Sequence, residues 1–594
     1  MKILLRRNLN SALRTIPRPC SRKPVSTRKL STRGPILARS NTARKLALAV
    51  LFGSAIGGSV LFSTKHKSVA LDTQAKGVSV EELQKHINED TGIWVAINGN
   101  VYDLTSFLSI HPGGPQIIKK YAGKNASKIF NKFHGPDFIS KYLSPEDCLG
   151  PLLGELGEAE DITEADDDET RKVFRDNLPP LSEIFTLTDF EYVAKKICSP
   201  TAWYYYSSGA EDEVTLRENH NAFSRIFFKP RVLVDVASVD LSTKMLGTWT
   251  SVPFYVSAAA QAKLGHPDGE LSISRGCGTE DAIQMISHYS SYSAESIIKE
   301  AKKNQSHWYQ LYVTGKDAAR QTVESVAKLG VKALFVTVDT PELGRREKDM
   351  KLRARLEASM ASESEKESPN STAPPNEDEI NDNKKASDEP KAKGADQGQE
   401  DLKSNVVYGR DLQVTWKDIV EIKSWTGLPL VIKGVQSVED IVLAAENGIE
   451  AVVLSNHGGR QLDYARAPIE VLADAMPVLR ERGLNDKIEI YIDGGVRRGG
   501  DVIKCLALGA KGVGLGRVFL YANACYGEAG VRKAIELLRE EIRLDMRLLG
   551  VSKIEDLGPQ HLDLRNLYSR TPPRDNLYYG NYEPLSPPRF AHEE

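Results

Sequence analysis

Residues 428–456 read LPLVIKGVQSVEDIVLAAENGIEAVVLSN. An apolar run, a helix-patterned segment (SVEDIVLAAENG) and a second apolar run follow one another without a break. Both runs are apolar at consecutive positions, as strands covered on both faces require. Two such strands joined by a helix predict a parallel pair. The same alternation extends outward. VPFYVSAAA from Val252, IQMIS from Ile283, WYQLYV from Trp308 and ALFVTVD from Ala333 precede the pair, and EIYIDGG from Glu489 and GVGLGR from Gly512 follow it. Eight runs with helical segments between them predict an α/β fold, a closed (β/α)8 TIM barrel.

The chain has 594 residues, long enough for more than one folded unit, and 41% of them are hydrophobic. The net charge of −2 gives no reason to expect a nucleic-acid partner. The charge is unevenly spread, however: no Asp or Glu precedes Asp72, while Arg and Lys are scattered through the start of the chain. That is the composition of a mitochondrial transit peptide. Leu46–Phe62 is apolar and at the lower limit for crossing a bilayer. Residues 1–77 are therefore read as a targeting and sorting segment, a possible inner-membrane anchor. It would deliver the rest of the protein to the mitochondrial intermembrane space, either anchored or released. The six cysteines form no CxxC pair and read as ordinary thiols.

Residues 78–153 read as a small α+β unit, in which WVAINGNVYDL predicts a hairpin turning at Asn98-Gly99. An acidic stretch, Glu155–Asp168, predicts a hinge linker over 154–180. The barrel is expected over 181–558. Residues 350–405 are rich in Glu, Lys, Ser and Pro and poor in aliphatics, and predict a disordered insertion after the fourth strand. Residues 559–594 read as an extended tail.

Within the small unit, His111-Pro112-Gly113-Gly114 follows the hairpin and His134 lies in KFHGP. A haem iron that only transfers electrons takes two axial ligands, and imidazole suits it. The glycines let backbone pass close to a flat macrocycle. Together these residues resemble the cytochrome b5 family, which implies haem b with His111 and His134 as the iron ligands.

Active groups of a (β/α)8 barrel cluster at the C-terminal strand ends. The sixth run ends in Ser455-Asn456-His457-Gly458-Gly459-Arg460-Gln461. His457 can accept a proton from an alcohol, and Arg460 can clamp a carboxylate, a pairing that describes a 2-hydroxy acid site. The fourth run ends at Asp339, a natural partner for the imidazolium formed at His457. The fifth ends at Lys433, suited to the negative charge of a reduced flavin. The seventh and eighth end in Asp493-Gly494-Gly495-Val496-Arg497 and Gly514-Leu515-Gly516-Arg517. Barrels commonly hold phosphate with these two loops, through exposed N–H groups and arginines.

These residues, with YYSSGAEDEVTLREN, QMIS, WYQLYV, LGRREKDM, VIKG, SNHGGRQLD and DGGVRRGGD, resemble the FMN-dependent L-2-hydroxy acid dehydrogenases over about residues 181–558. The resemblance implies His457 as base with Asp339 as its partner. It implies Arg460 and Tyr205 on the substrate carboxylate, Tyr312 on the reacting hydroxyl and Arg346 as added charge beside the substrate. Ser287, Gln310, Thr337 and Lys433 are implied to contact the flavin, and Asp493, Arg497, Gly516 and Arg517 to hold its ribityl and phosphate groups. With a haem domain fused upstream, the implied activity is oxidation of L-lactate at FMN. Single electrons would pass through haem b to cytochrome c, in a homotetramer. An oxidase that yields hydrogen peroxide is the alternative. Tyr289 stands where lactate-specific members carry an aliphatic residue near the substrate methyl, which leaves the choice of acid open, as is the choice between hydride and carbanion chemistry.

Overall fold

The computed structural model describes residues 77–570 apart from 109–110, 112–114, 160–167, 356–405, 408–409 and 412. The expected targeting and anchor segment (but for Gly77), the polar insertion from 356 and the tail from 571 lie outside the described residues, as do Pro112-Gly113-Gly114 and much of the acidic linker.

The small domain is built on five strands: β1 (Val78–Ser79), β2 (Ile87–Asn88), β3 (Gly92–Ile97), β4 (Asn100–Asp103) and β5 (Cys148–Leu153). Their order is β1-β5-β4-β3-β2, with β1 parallel to β5 and the other pairs antiparallel. The predicted hairpin is β3–β4. Asn98 and Gly99 both sit at positive φ, 51° and 82°, the geometry that lets a two-residue turn follow the strand twist. Ile93, Val95 and Ile97 of β3 pack with Leu104, Ile118 and Ile129 to form the domain's core.

The eight predicted runs are the eight strands of a closed parallel barrel: β6 (Phe254–Val256), β7 (Ile283–Ile286), β8 (His307–Leu311), β9 (Leu334–Thr337), β10 (Leu430–Val435), β11 (Ala451–Leu454), β12 (Glu489–Asp493) and β13 (Gly512–Leu515). Val513–Leu515 pairs with Phe254–Val256 to close the ring. The barrel's inside is packed, with Tyr255, Met285, Trp308, Phe335, Val453 and Tyr491 all buried there. A larger apolar layer lies between the strands and the helices around them. The helices Leu187–Ile197, Pro200–Ser207 and Val214–Ser224 lie ahead of the first barrel strand.

Three stretches expected to be irregular carry order. Residues 350–355, the start of the expected insertion, are helical, with Leu352 buried. Asp168–Asp176, at the end of the linker, is a helix, and Arg175 Nε donates to the carbonyl of Ile197. Beyond Gly558 the chain does not leave the surface at once: Leu562–Asp563 pairs antiparallel with Phe227–Phe228, and Leu567 is fully buried. Alternating apolar residues in a Pro- and Arg-rich stretch are too few to announce such a pairing from sequence. The small domain and the barrel form one compact unit.

Candidate functional site

A continuous cavity of about 1090 Å³ runs from the small domain into the mouth of the barrel. That is at or above the usual volume of one small-molecule site. Its barrel half is walled by the C-terminal ends of the strands and by the helices ahead of β6.

At the end of β11 the backbone makes a tight left-handed passage. His457, Gly458 and Gly459 have φ of 57°, 65° and 76°. A Cβ at residue 459 would stand 2.6 Å from the Leu216 backbone, and one at residue 458 would stand 2.7 Å from Arg517 Nη1. Glycines at both positions are thus required by space as well as by φ. The passage turns the imidazole of His457 toward Asp339 at the end of β9. His457 Nδ1 lies 2.9 Å from Asp339 Oδ1, and the Thr340 hydroxyl donates to that same oxygen at 2.9 Å. Gly434 makes room for the carboxylate, since a Cβ there would lie 2.5 Å from Asp339 Cβ. On the other side of the ring, the Tyr312 hydroxyl is 3.4 Å from His457 Nε2.

The electrostatics favour a neutral imidazole beside an ionised carboxylate. Burial lowers the pKa of His457 by more than the neighbouring Asp339 restores. For Asp339, burial opposes ionisation, but His457 and Lys433 outweigh it and hold the carboxyl below its ordinary range. With Nδ1–H directed at Asp339, the Nε2 lone pair faces the cavity, ready to take a proton.

Two arginines flank the ring of Tyr205. The Arg460 guanidinium is 5.2 Å and the Arg346 guanidinium 5.9 Å from its centroid. Arg460 Nη1 is fixed by the carbonyls of Tyr205 (2.7 Å) and Ser208 (3.1 Å). Burial, and then the charge of Arg460, push Arg346 down to about 10. It remains cationic at neutral pH. A buried cationic pair needs an anion, and a carboxylate between these groups would supply it.

The implied flavin contacts form a hydrogen-bonded row across adjacent strand ends. Gln310 Nε2 donates to Thr337 Oγ1 at 2.9 Å, and Gln310 Oε1 accepts from Ser287 Oγ at 3.4 Å and from the His288 backbone at 3.1 Å. Lys433 Nζ donates to Ser455 Oγ at 3.2 Å and pairs with Asp493 Oδ2 at 3.4 Å. Burial disfavours its charge, yet Asp493 and Asp339 keep the ammonium above its ordinary pKa. Past β12, Gly494 and Gly495 are left-handed, and a Cβ at residue 495 would lie 2.1 Å from the Asn219 carbonyl. Arg517 is held by the carbonyls of Tyr206, Gly458 and Ser208. Arg497 is paired with Glu191. Beside Gly516 there is open space: the nearest atom to a Cβ there is Ser257 Cβ at 4.0 Å. Asp493 Oδ1 and Ser257 Oγ are buried on this wall without a hydrogen-bond partner among the described residues. Orphaned acceptors of this kind fit the hydroxyls of a polyol chain, and the glycine loops with Arg517 and Arg497 fit its phosphate. The residues present suit FMN.

In the small-domain half, His111 and His134 face one another with ring centroids 6.4 Å apart. A metal bound between two imidazoles at ~2.0–2.1 Å per bond places ring centroids roughly 6.5 Å apart, so the pair suits one iron. Burial, reinforced by His111, pushes His134 down to about 3, which keeps it neutral and able to ligate. The surrounding wall is apolar, including Ile97, Leu104, Phe107, Ile129 and Phe130. These residues fit a haem.

Several residues of the site were given no role from the sequence. Asn219 exchanges two 2.7 Å hydrogen bonds with Asn456, buried behind the glycine loops. Glu191 and Thr340 likewise come from unremarkable stretches.

Residues 194–564 match the FMN-dependent dehydrogenase family, and residues 79–153 match the cytochrome b5-like heme/steroid binding domain. The L-lactate dehydrogenase (cytochrome) of Wickerhamomyces anomalus is 48% identical over 551 residues, 92% of this chain and 91% of the relative. That of Saccharomyces cerevisiae is 51% identical over 532 residues, 86% of this chain and 84% of the relative. Among solved structures, a flavocytochrome b2 double mutant with pyruvate bound is 51% identical, covering 72% of this chain and 99% of that chain with a TM-score of 0.60. The glycine-turned histidine, its aspartate, the arginine pair and the facing histidines of the small domain thus occur in a chain that belongs to the FMN-dependent dehydrogenase family and carries a cytochrome b5-like haem domain ahead of its barrel.

Proposed function

We propose that this protein oxidises L-lactate, or a similar small L-2-hydroxy acid, to the 2-keto acid and delivers the electrons one at a time through its haem domain. The observation that carries the reading is an imidazole hydrogen-bonded to a buried carboxylate, placed in one cavity with two arginines around Tyr205. Arg346 and Arg460 bind the substrate carboxylate, with Tyr205 between them. Tyr312 orients the α-hydroxyl. His457 Nε2 accepts one proton of the substrate, and Asp339, already ionised, stabilises the resulting imidazolium. Lys433, held charged by Asp493, balances negative charge at the strand ends. Ser287, Gln310 and Thr337 line the flavin position, and the loops bearing Asp493, Gly494, Gly495, Arg497, Gly516 and Arg517 hold its ribityl phosphate. When bound, FMN supplies the two-electron acceptor and haem b, between His111 and His134, the one-electron outlet.

The high identity to two proteins named L-lactate dehydrogenase (cytochrome), along most of their length, supports a cytochrome as the acceptor; cytochrome c and a homotetramer are the finer readings that the family resemblance implies. The acid-free, basic N-terminus supports the mitochondrial intermembrane space, and Leu46–Phe62 supports an inner-membrane anchor before processing. The peroxide-forming alternative is disfavoured, because the haem pocket opens into the same cavity as the base. The test is an absorption spectrum recorded before and after L-lactate is added without oxygen. Loss of flavin absorbance with growth of reduced-haem bands is expected. A flavin left oxidised would overturn the proposal.

A further inference from the structure

The small domain meets the barrel along the segment that follows β7, residues Ser287–Ser296. The Gly135 amide donates to the Ser291 carbonyl at 2.9 Å, and the Tyr142 hydroxyl donates to the His288 carbonyl at 3.0 Å. Asp137 Oδ2 accepts from the Ser293 amide at 3.1 Å and from the Ser296 hydroxyl at 2.8 Å. From the barrel side, Lys263 Nζ donates to the carbonyls of Asn131 at 2.5 Å and His134 at 2.7 Å. The surfaces are in close contact: a Cβ on residue 135 would lie 2.8 Å from Tyr292 Cδ1 and 2.9 Å from the Ser291 carbonyl.

The segment faces both halves of the site. Its first residues, Ser287 and His288, bond Gln310 in the flavin row. Its later residues bond the turn of the small domain that begins at His134. Aromatic packing continues that turn inward, with the His134 ring 3.9 Å from Phe138 and Phe138 4.4 Å from Tyr142. Asp137 is the only carboxylate in this set of contacts. Burial opposes its charge, but its bonds to Ser293 and Ser296 outweigh burial and keep its carboxyl below the ordinary range. A carboxylate that accepts two hydrogen bonds holds a contact more firmly than neutral pairs do.

We infer that Asp137 is a positioning residue: its grip on Ser293 and Ser296 holds the haem domain docked on the barrel and sets the rate of electron passage to the haem, while leaving substrate oxidation untouched. The inference rests on the functional reading above. Asp137 reaches neither the Arg346–Arg460 cluster nor His457 by any hydrogen bond, so loss of its grip should separate the two half-reactions.

The test uses the full-length holoprotein and the variants Asp137→Ala, Asp137→Asn and Ser296→Ala, each mixed rapidly with L-lactate without oxygen. In Asp137→Ala, flavin bleaching should keep its normal rate while haem reduction slows about tenfold, the scale of one charged hydrogen bond. Asp137→Asn, whose amide oxygen still accepts from Ser293, should recover most of the rate. Ser296→Ala should slow haem reduction less, and should add little to Asp137→Ala when the two are combined. Amide hydrogen exchange across residues 288–299 should be faster in Asp137→Ala than in the unaltered protein. Haem reduction at the normal rate in Asp137→Ala, equal slowing of flavin and haem, or unchanged exchange would each overturn the inference. A flavin that lactate does not bleach in the unaltered protein would sink the functional reading instead, and the exchange measurement would still report on the latch.

Discussion

The two halves of the cavity are built by opposite means. The haem half gathers apolar side chains around two histidines, and burial, more than any neighbouring charge, keeps His134 neutral. The barrel half packs charge against charge: Lys433 with Asp493 and Asp339, Arg346 beside Arg460, Arg497 on Glu191. A flat hydrophobic macrocycle needs shape and two ligands. A small anionic substrate needs fixed dipoles and cations with almost no freedom to relax. The haem half should therefore fail by losing its occupant, and the barrel half by losing its chemistry while staying occupied.

That contrast can be broken most directly at the ligands. His134→Ala should remove the haem absorption band entirely while L-lactate still bleaches the flavin, as an absorption spectrum would record. Loss of both signals would mean the halves are not separable. His457→Gln should leave both cofactor spectra intact and slow flavin reduction by about three orders of magnitude in rapid mixing. Arg346→Lys keeps a cation but loses the planar fork, and should lower kcat/KM for lactate roughly tenfold to a hundredfold. The pH profile sharpens the electrostatic side. Because burial depresses His457, kcat/KM should fall only as pH drops through an inflection below 6.5, about tenfold per unit. Asp339 raises the imidazole pKa, so Asp339→Asn should move that inflection still lower. An inflection above 6.5 would contradict the neutral-base assignment. The smallest effect is expected at Tyr289, whose ring stacks on Tyr312 with centroids 5.3 Å apart on the cavity wall. Tyr289→Leu should shift the ratio of kcat/KM between lactate and a longer-chain 2-hydroxy acid by a few-fold.

The barrel could be read from the sequence because its strands are covered on both faces and appear as unbroken apolar runs. The Asn98-Gly99 hairpin, the SNHGGRQ passage and the DGG loop were legible for a related reason: left-handed backbone favours glycine or asparagine, and these residues appear at fixed places. Asn219, Glu191 and Thr340 were not legible. Asn219 and Glu191 are lone polar residues whose partners, Asn456 and Arg497, lie more than two hundred residues away, and Thr340 is a single hydroxyl beside Asp339. The interdomain bonds were hidden for the same cause, since backbone carbonyls at His288 and Ser291 leave no trace in side-chain identity. The helix at Asp168–Asp176 was missed because its charge suggested solvation, and what ties it to Leu187–Ile197 is polar: Arg175 donates to the Ile197 carbonyl and Lys196 lies over the Phe174 ring, while Val173 and Phe174 stay exposed.

The left-handed passage at His457-Gly458-Gly459 also dictates which variants this gene could tolerate. Every coding change at residue 459 adds a carbon against the Leu216 main chain, which cannot step aside. In a saturation library scored for lactate-dependent growth, that column should be empty except for wild type. A few positions on, Leu462 is 69% exposed and should accept most of the alphabet.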